Sequence, residues 1–301
     1  MSVTPRDAAT LMLIRDAEDG TGGPAIEVCM LRRNLASEFV AGFYVFPGGS
    51  VDPDDRSPGA AALCRGRTDT EAGAVLGLES GGLALWVAAL RESFEEAGVL
   101  VAHTDGPDGP TLLDARDPAT VRRFAGYRDA INAGTLRFLD MCRTEGLTLP
   151  VDAVHYVSHW ITPEQAPRRY DTRFFITTTP PGQVASHDDG ETIASLWIRP
   201  AEALAREAAG EIELLPPTVV NLQNLEPFTN TADAMEWARQ VTGVVTMLPI
   251  VLIEDGNVLI LRPGDEGYEQ ALADRLASDP DPDGELAHMA RELWGPEAGP
   301  A

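Results

Sequence analysis

The sequence predicts an α/β fold in layers around a mixed sheet. Short apolar runs bounded by turn residues alternate with helical patterns along the chain, and one stretch, Gly82 to Ala97, has a strong amphipathic helical period closed by a glycine. Strands interleaved with helices bury both faces of a sheet, which is the layered solution.

The elements follow in order. Thr10 to Ile14 and Ile26 to Leu31 are apolar runs separated by the turn-rich Asp16 to Pro24, so they read as paired strands opening the sheet. Phe43 to Phe46 runs into Pro47-Gly48-Gly49, a sharp turn. Residues 50 to 80, rich in Asp, Gly, Pro and Ala, read as a long inserted loop with one helical turn and no share in the core. Gly98 sits where a left-handed cap ends the helix of residues 82–97, and Val99 to Ala102 is strand-like. A second insertion, residues 103–150, is irregular to Asp117 and helical from Pro118 to Glu145. Tyr156 to Ile161, Thr172 to Thr178 and Ile193 to Ile198 read as strands, while Pro200 to Ala209 and Pro216 to Leu225 read as helices with proline starts.

The chain divides into a domain over residues 1–225 and an extension over 226–301. The extension holds a helix at Asp233 to Thr242 and a hairpin, Val244 to Ile253 with Val258 to Leu261, around Glu254-Asp255-Gly256-Asn257. Residues beyond Asp279 are acidic and proline-rich. The hairpin either completes the edge of the sheet or forms a homodimer contact, and the sequence leaves both open.

Composition excludes several classes of function. With 44% hydrophobic and 23% charged residues among 301, the chain has the balance of a folded globular protein. A net charge of −24 repels nucleic-acid backbones and anionic membrane surfaces. A small anionic ligand is compatible with that field where cations or local arginines reverse its sign. Cys29, Cys64 and Cys142 are odd in number and contain no C-x-x-C pair, which argues against a disulfide framework and fits a reducing cytoplasm. No apolar stretch approaches the roughly 18 residues of a membrane span. His155 and His159 have helical spacing but lie in a strand-like segment without a following glutamate, against a zinc-protease motif.

On a helix, Glu92, Glu95 and Glu96 share one face while Trp86, Leu90, Phe94 and Ala97 share the other. Like charges at these spacings repel by roughly a few tenths of a kcal/mol each in water, and by more when half-buried. A divalent cation removes that cost, and hard cations such as Mg2+ or Mn2+ prefer carboxylate oxygens.

Arg91-Glu92-Ser93-Phe94-Glu95-Glu96-Ala97-Gly98-Val99 resembles the second half of the Nudix box, and Phe46-Pro47-Gly48-Gly49 resembles its opening turn. Asp55 stands where the family places a glutamate, roughly thirty inserted residues follow it, and Ser93 replaces an aliphatic residue. A long loop between turn and helix is similar to the acyl-coenzyme A diphosphatase branch of mitochondria and peroxisomes and its bacterial relatives. So are Trp160-Ile161-Thr162-Pro163, Arg168-Arg169-Tyr170-Asp171-Thr172 with Phe174, and Leu215-Pro216-Pro217-Thr218.

The resemblance implies a Nudix-type α/β/α sandwich hydrolysing a diphosphate linkage in a small nucleotide conjugate, coenzyme A or acyl-coenzyme A, with Mg2+ or Mn2+. It implies Glu92, Glu95 and Glu96 as metal ligands, a carbonyl ligand from Gly49 or Gly48, and Arg91 holding a glutamate in place. Glu92, or a loop glutamate such as Glu191, acts as base. Arg33, Arg168, Arg169 and Arg173 are the candidate phosphate contacts. Arg33, Gly42 and the glycine turn match the spacing of a coenzyme A motif, with Ser37-Glu38 where that motif has Leu-Arg. Hydrolysis of capped RNA and a non-catalytic nucleotide-binding regulator are the competing readings; the net charge disfavours the first and the intact glutamates the second.

Overall fold

The computed structural model describes residues 3–17, 23–34, 41–107, 109–164, 166, 168–188, 192–254 and 257–277. The chain opens with β1 (Arg6–Asp16), β2 (Ile26–Arg33), β3 (Tyr44–Val45) and β4 (Gly48–Ser50), then a 3-10 turn at Pro53–Arg56. Next come α1 (Pro58–Ala61), β5 (Cys64–Arg65), α2 (Asp69–Leu76), α3 (Gly82–Ala97), β6 (His103–Gly106), β7 (Gly109–Leu112), α4 (Pro118–Asn132), α5 (Phe138–Thr144) and β8 (Leu147–Pro150). A 3-10 turn at Val151–Ala153 leads to β9 (His155–Ile161), β10 (Tyr170–Thr178) and β11 (Thr192–Ile198). The remainder is α6 (Pro200–Ala208), α7 (Pro216–Leu225), α8 (Thr231–Gln240), β12 (Thr246–Met247), β13 (Ile250–Glu254), β14 (Asn257–Leu261) and α9 (Tyr268–Ala277).

The main sheet runs β11-β2-β1-β10-β9-β12, with β3 on β2 and β4 on β1. It is mixed: β1 with β10 and β9 with β12 are parallel, and the other pairs are antiparallel. Side chains alternate across β1. Leu11 and Leu13 join Trp86, Leu90 and Phe94 of α3 on one face, while Met12 and Ile14 join Leu222 of α7 and Ala234 of α8 on the other. The result is the expected α/β/α sandwich. Trp86 is fully buried, its ring 4.7 Å from Phe175, and its Nε1 donates to the Val154 carbonyl at 2.9 Å, so the indole loses no hydrogen bond on burial. Among the described residues, no helix is long and apolar enough to cross a membrane.

The structure departs from the sequence expectations in four places. Residues 50–80 are not a loop outside the core, because Ala60, Ala72 and Leu76 pack with α3 and Asp55 is only 2% exposed. The glycine pair is not simply a turn; Gly48 and Gly49 form β4, in register with Thr10 and Ala9. Val99 to Ala102 is buried but is not a strand. There Gln183 substitutes for a partner strand, accepting from Leu100 N at 2.7 Å and donating to its carbonyl at 2.8 Å. Residues 103–117 contain the β6–β7 hairpin, which joins β5 and β8 in a second sheet. The expected acidic tail beyond Asp279 lies outside the described residues.

Candidate active site

Helix α3 ends at Ala97, and Gly98 takes the left-handed conformation (φ 69°) that lets its N–H reach back to Phe94 O. Ser93 explains its departure from the family pattern: its buried Oγ donates to the Val99 carbonyl at 2.9 Å, satisfying a backbone acceptor just past the helix. Arg128, absent from the residues singled out in the sequence, closes the same end. Its Nε and Nη2 donate to the carbonyls of Glu95 (2.8 Å) and Glu96 (2.6 Å), so a cation sits on the negative pole of the helix and fixes the backbone bearing two of the three glutamates. Its signal, an arginine inside an otherwise ordinary amphipathic helix, is not distinctive in the sequence.

Strand β4 lies against the glutamate face. Gly48 N donates to Glu96 Oε2 at 2.8 Å. A Cβ on Gly49 falls 2.5 Å from Glu92 Oε1, and one on Gly48 falls 2.7 Å from the Ala9 carbonyl. At Gly48 the obstacle is backbone, so close approach requires glycine, whereas at Gly49 an added carbon would have to push the Glu92 carboxylate aside.

Arg91 organises the other side. Its Nη1 donates to Glu92 Oε1 and Glu95 Oε2, each at 2.8 Å, its Nη2 to the Ser50 carbonyl at 2.9 Å, and its Nε and Nη2 hold Asp55 at 3.1 and 3.0 Å. Thus Asp55, the acid that stands before the insertion, returns to the helix. Burial pushes the Asp55 and Glu95 carboxyls up despite Arg91. Burial also works against the Arg91 charge, but Glu92, Asp55 and Glu95 outweigh it and hold the guanidinium protonated.

Two depressions meet at the glutamates. A cavity of about 380 Å³ is lined by Glu92, Glu96, Gly48, Gly49, Ser50 and Arg33 at one end, and by Trp160, Phe174 and the Leu215-Pro216-Pro217-Thr218 run elsewhere. A more polar depression next to it is lined by Asp52, Asp54, Asp55, Arg91, Glu95 and Asp188, and it shares Glu92 and Glu96.

Of the candidate phosphate contacts, Arg33 lines the cavity and the other three do not. Arg173 alternates with Thr172 and Phe174 along β10, so it points to the opposite face, where its Nη1 pairs with Asp171 Oδ1 at 2.6 Å. Arg169 is buried with its Nε on the Thr162 carbonyl and its Nη1 on the Val3 carbonyl, at 3.0 and 2.9 Å, a backbone clamp rather than a ligand contact. Arg168 is likewise absent from the cavity wall. Glu191, Ser37 and Glu38 lie outside the described residues.

The fit of a divalent cation turns on geometry and on donor chemistry. Among the described residues, no three His, Cys, Asp or Glu side chains are already gathered in a metal-binding geometry, because Glu92 and Glu95 turn toward Arg91. The donor chemistry nevertheless fits. Asp55, Glu92 and Glu95 meet at the Arg91 guanidinium, and Glu96 lines the same depression, so carboxylates outnumber the one cation that pairs with them. All the donors are carboxylate oxygens, the hard ligands that Mg2+ and Mn2+ prefer.

Comparison with known proteins agrees with this geometry. The profile of the NUDT19 Nudix domain matches residues 67–225. Acyl-coenzyme A diphosphatase NUDT19 of Gallus gallus is 30% identical over 88% of this chain and 80% of its own length, and the Homo sapiens protein of that name is 29% identical over 79% and 71%. The crystal structure of a NUDIX hydrolase from Alicyclobacillus acidocaldarius superposes with a TM-score of 0.58 at 31% identity, covering 77% of this chain and 96% of that one. The match over residues 67–225, together with these relatives, shows that the chain belongs to the NUDT19 family of Nudix hydrolases and is an enzyme of that kind.

Proposed function

We propose that the chain hydrolyses the diphosphate linkage of coenzyme A or its acyl thioesters, adding water to release adenosine 3',5'-bisphosphate and the (acyl-)4'-phosphopantetheine. The observation that carries this reading is the convergence of Glu92, Glu96, Gly48, Gly49 and Arg33 on a cavity whose other lining residues are uncharged, with Trp160, Phe174, Val251 and Ile260 among them. The names of the relatives point to the same substrate class.

Glu92, Glu95 and Glu96, with the Gly49 carbonyl, are the groups that would hold Mg2+ or Mn2+. A cation held there would neutralise phosphate charge and lower the pKa of the attacking water. Glu92 would accept the water's proton. Arg91 is a positioning residue, since its donors are directed to Asp55, Glu92, Glu95 and Ser50 rather than to the cavity. Arg33 supplies the cation for a phosphate oxygen on the glycine-strand side.

The test is turnover of coenzyme A and acyl-coenzyme A with Mg2+ or Mn2+ by wild type, Glu95→Gln and Glu96→Gln. The expected loss in each variant is about 100-fold or more in kcat. Equal rates in all three proteins would rule out the mechanism.

A further inference from the structure

The cavity has a wall that the nucleotide end does not need. Residues in lateral register run from the glycine strand across the sheet: Ser50 beside Ala8, Ala8 beside Thr172, Thr172 beside Trp160, and Trp160 beside Met247. The strand order β4-β1-β10-β9-β12 places four steps between the glycine strand and β12, roughly 19 Å at about 4.8 Å per strand. Beyond Met247 the chain continues directly into the C-terminal hairpin, outside the residues that match the family profile.

That hairpin is apolar on both faces. Ile250 and Leu261 are cross-strand partners on one face, packed with Tyr268 of α9, whose hydroxyl donates to the Leu248 carbonyl at 2.9 Å. Val251 and Ile260 are partners on the other face, and both line the cavity together with Pro249. A two-stranded ribbon alone is marginally stable, so its second apolar face needs cover. Val251 has that cover at 3% exposed, whereas Ile260 remains 39% exposed.

We infer that Val251 and Ile260, with Trp160 and Phe174, form the subsite for the apolar acyl chain of the substrate. The inference rests on the reading of the substrate as a coenzyme A conjugate. Charge sorts the two ends: Glu92, Glu96 and Arg33 are the ionisable side chains among the cavity-lining residues apart from Tyr170, while the hairpin side is formed by Pro249, Val251, Ile260 and Trp160. A ligand with a diphosphate at one end and a hydrocarbon at the other matches that division. The extension thereby becomes a specificity element rather than an appendage to the hydrolase domain.

The experiment is calorimetric titration of the full chain, in EDTA to prevent turnover, with coenzyme A and with dodecanoyl-coenzyme A. Wild type should bind the acylated ligand about tenfold more tightly or better, as several buried methylenes require. The double variant Val251→Gln, Ile260→Gln should lose most of that ratio and keep its affinity for coenzyme A. Leu259→Gln, on the same strand but opposite Leu252 of the α9-facing side, should keep the ratio. If the double variant fails to fold, Ile260→Gln alone serves, since its side chain is already part-exposed. No preference in wild type, or an equal loss for both ligands in the folded variant, overturns the inference. If the preference is seen without turnover when metal is restored, the proposed function fails and the subsite stands; with turnover but no preference, the proposed function stands and the subsite fails.

Discussion

Asp55 and Arg91 form a buried ion pair across 36 residues of sequence, with Arg91 Nη2 3.0 Å from Asp55 Oδ2. Asp55 fixes one edge of the guanidinium and thereby aims the other at Glu92 and Glu95. Neutralising Asp55 leaves Arg91 paired with Glu92 and Glu95, so the cost is that of a charge-assisted hydrogen bond, about 1.5–3 kcal/mol, while a group that orients the ligands of a metal site typically controls about 10–100-fold in activity. Asp55→Asn should therefore lower both the urea midpoint and kcat, with Asp55→Glu recovering part of kcat. Unchanged kcat in a folded Asp55→Asn would show that Arg91 orients the glutamates without help.

Gly49 offers a sharper test because its constraint is steric. A methyl group there lies 2.5 Å from Glu92 Oε1, so Gly49→Ala must displace the carboxylate or β4. Loss of about 100-fold in kcat is expected with modest change in stability, consistent with the penalty for misplacing a reacting group by about 1 Å. Gly126 is the control: it lies within α4 with nothing within 4 Å of the added carbon, so Gly126→Ala should stabilise the protein by about 0.5–1 kcal/mol at full activity. Wild-type kinetics in Gly49→Ala would remove the close approach from the mechanism.

The two glycine positions also mark how far sequence could reach. Periodicity located α3 to its bounds and put its glutamates on one side, because local helical geometry dictates both. The motif also singled out Gly49 and Asp55, but nothing local revealed that Asp55 packs against α3 and pairs with Arg91. Arg169 and Arg173 escape a sequence reading for a related reason. In an acidic chain their charge made them phosphate candidates, whereas strand alternation and the backbone carbonyls of Val3 and Thr162 decide where these two point. The hairpin was visible as a pattern, yet its position over the cavity depends on β12 joining β9, a long-range pairing.

Ser93 has a prediction that separates folding from catalysis. It is fully buried and donates to Val99 O at 2.9 Å, so Ser93→Ala leaves a buried carbonyl short of its partner. A cost of about 1–3 kcal/mol in unfolding free energy is expected, with kcat within about twofold of wild type. Ser93→Leu, which restores the family's aliphatic type, should cost at least as much through overpacking at about 1–3 kcal/mol. A stabilised Ser93→Leu protein would mean that the hydroxyl is replaceable by volume.

Asp171 makes stability depend on pH away from the glutamates. Burial alone raises its carboxyl pKa, but hydrogen bonding to His159 Nε2 at 2.5 Å and the Arg173 guanidinium at 2.6 Å outweigh burial and hold it below the usual value. His159 is itself tied to Thr246 Oγ1 at 2.8 Å, so the network links β9, β10 and β12. A carboxyl with a depressed folded pKa contributes stability above its unfolded value, near about 3.9, and loses it as pH falls through the folded value. Asp171→Asn should therefore cost about 2 kcal/mol at pH 7, the worth of a charge-assisted hydrogen bond, and progressively less below about pH 4. Urea midpoints for both proteins at about pH 7, 4 and 3 measure that gap; a gap that stays constant on acidification would place the contribution of Asp171 in its shape rather than its charge.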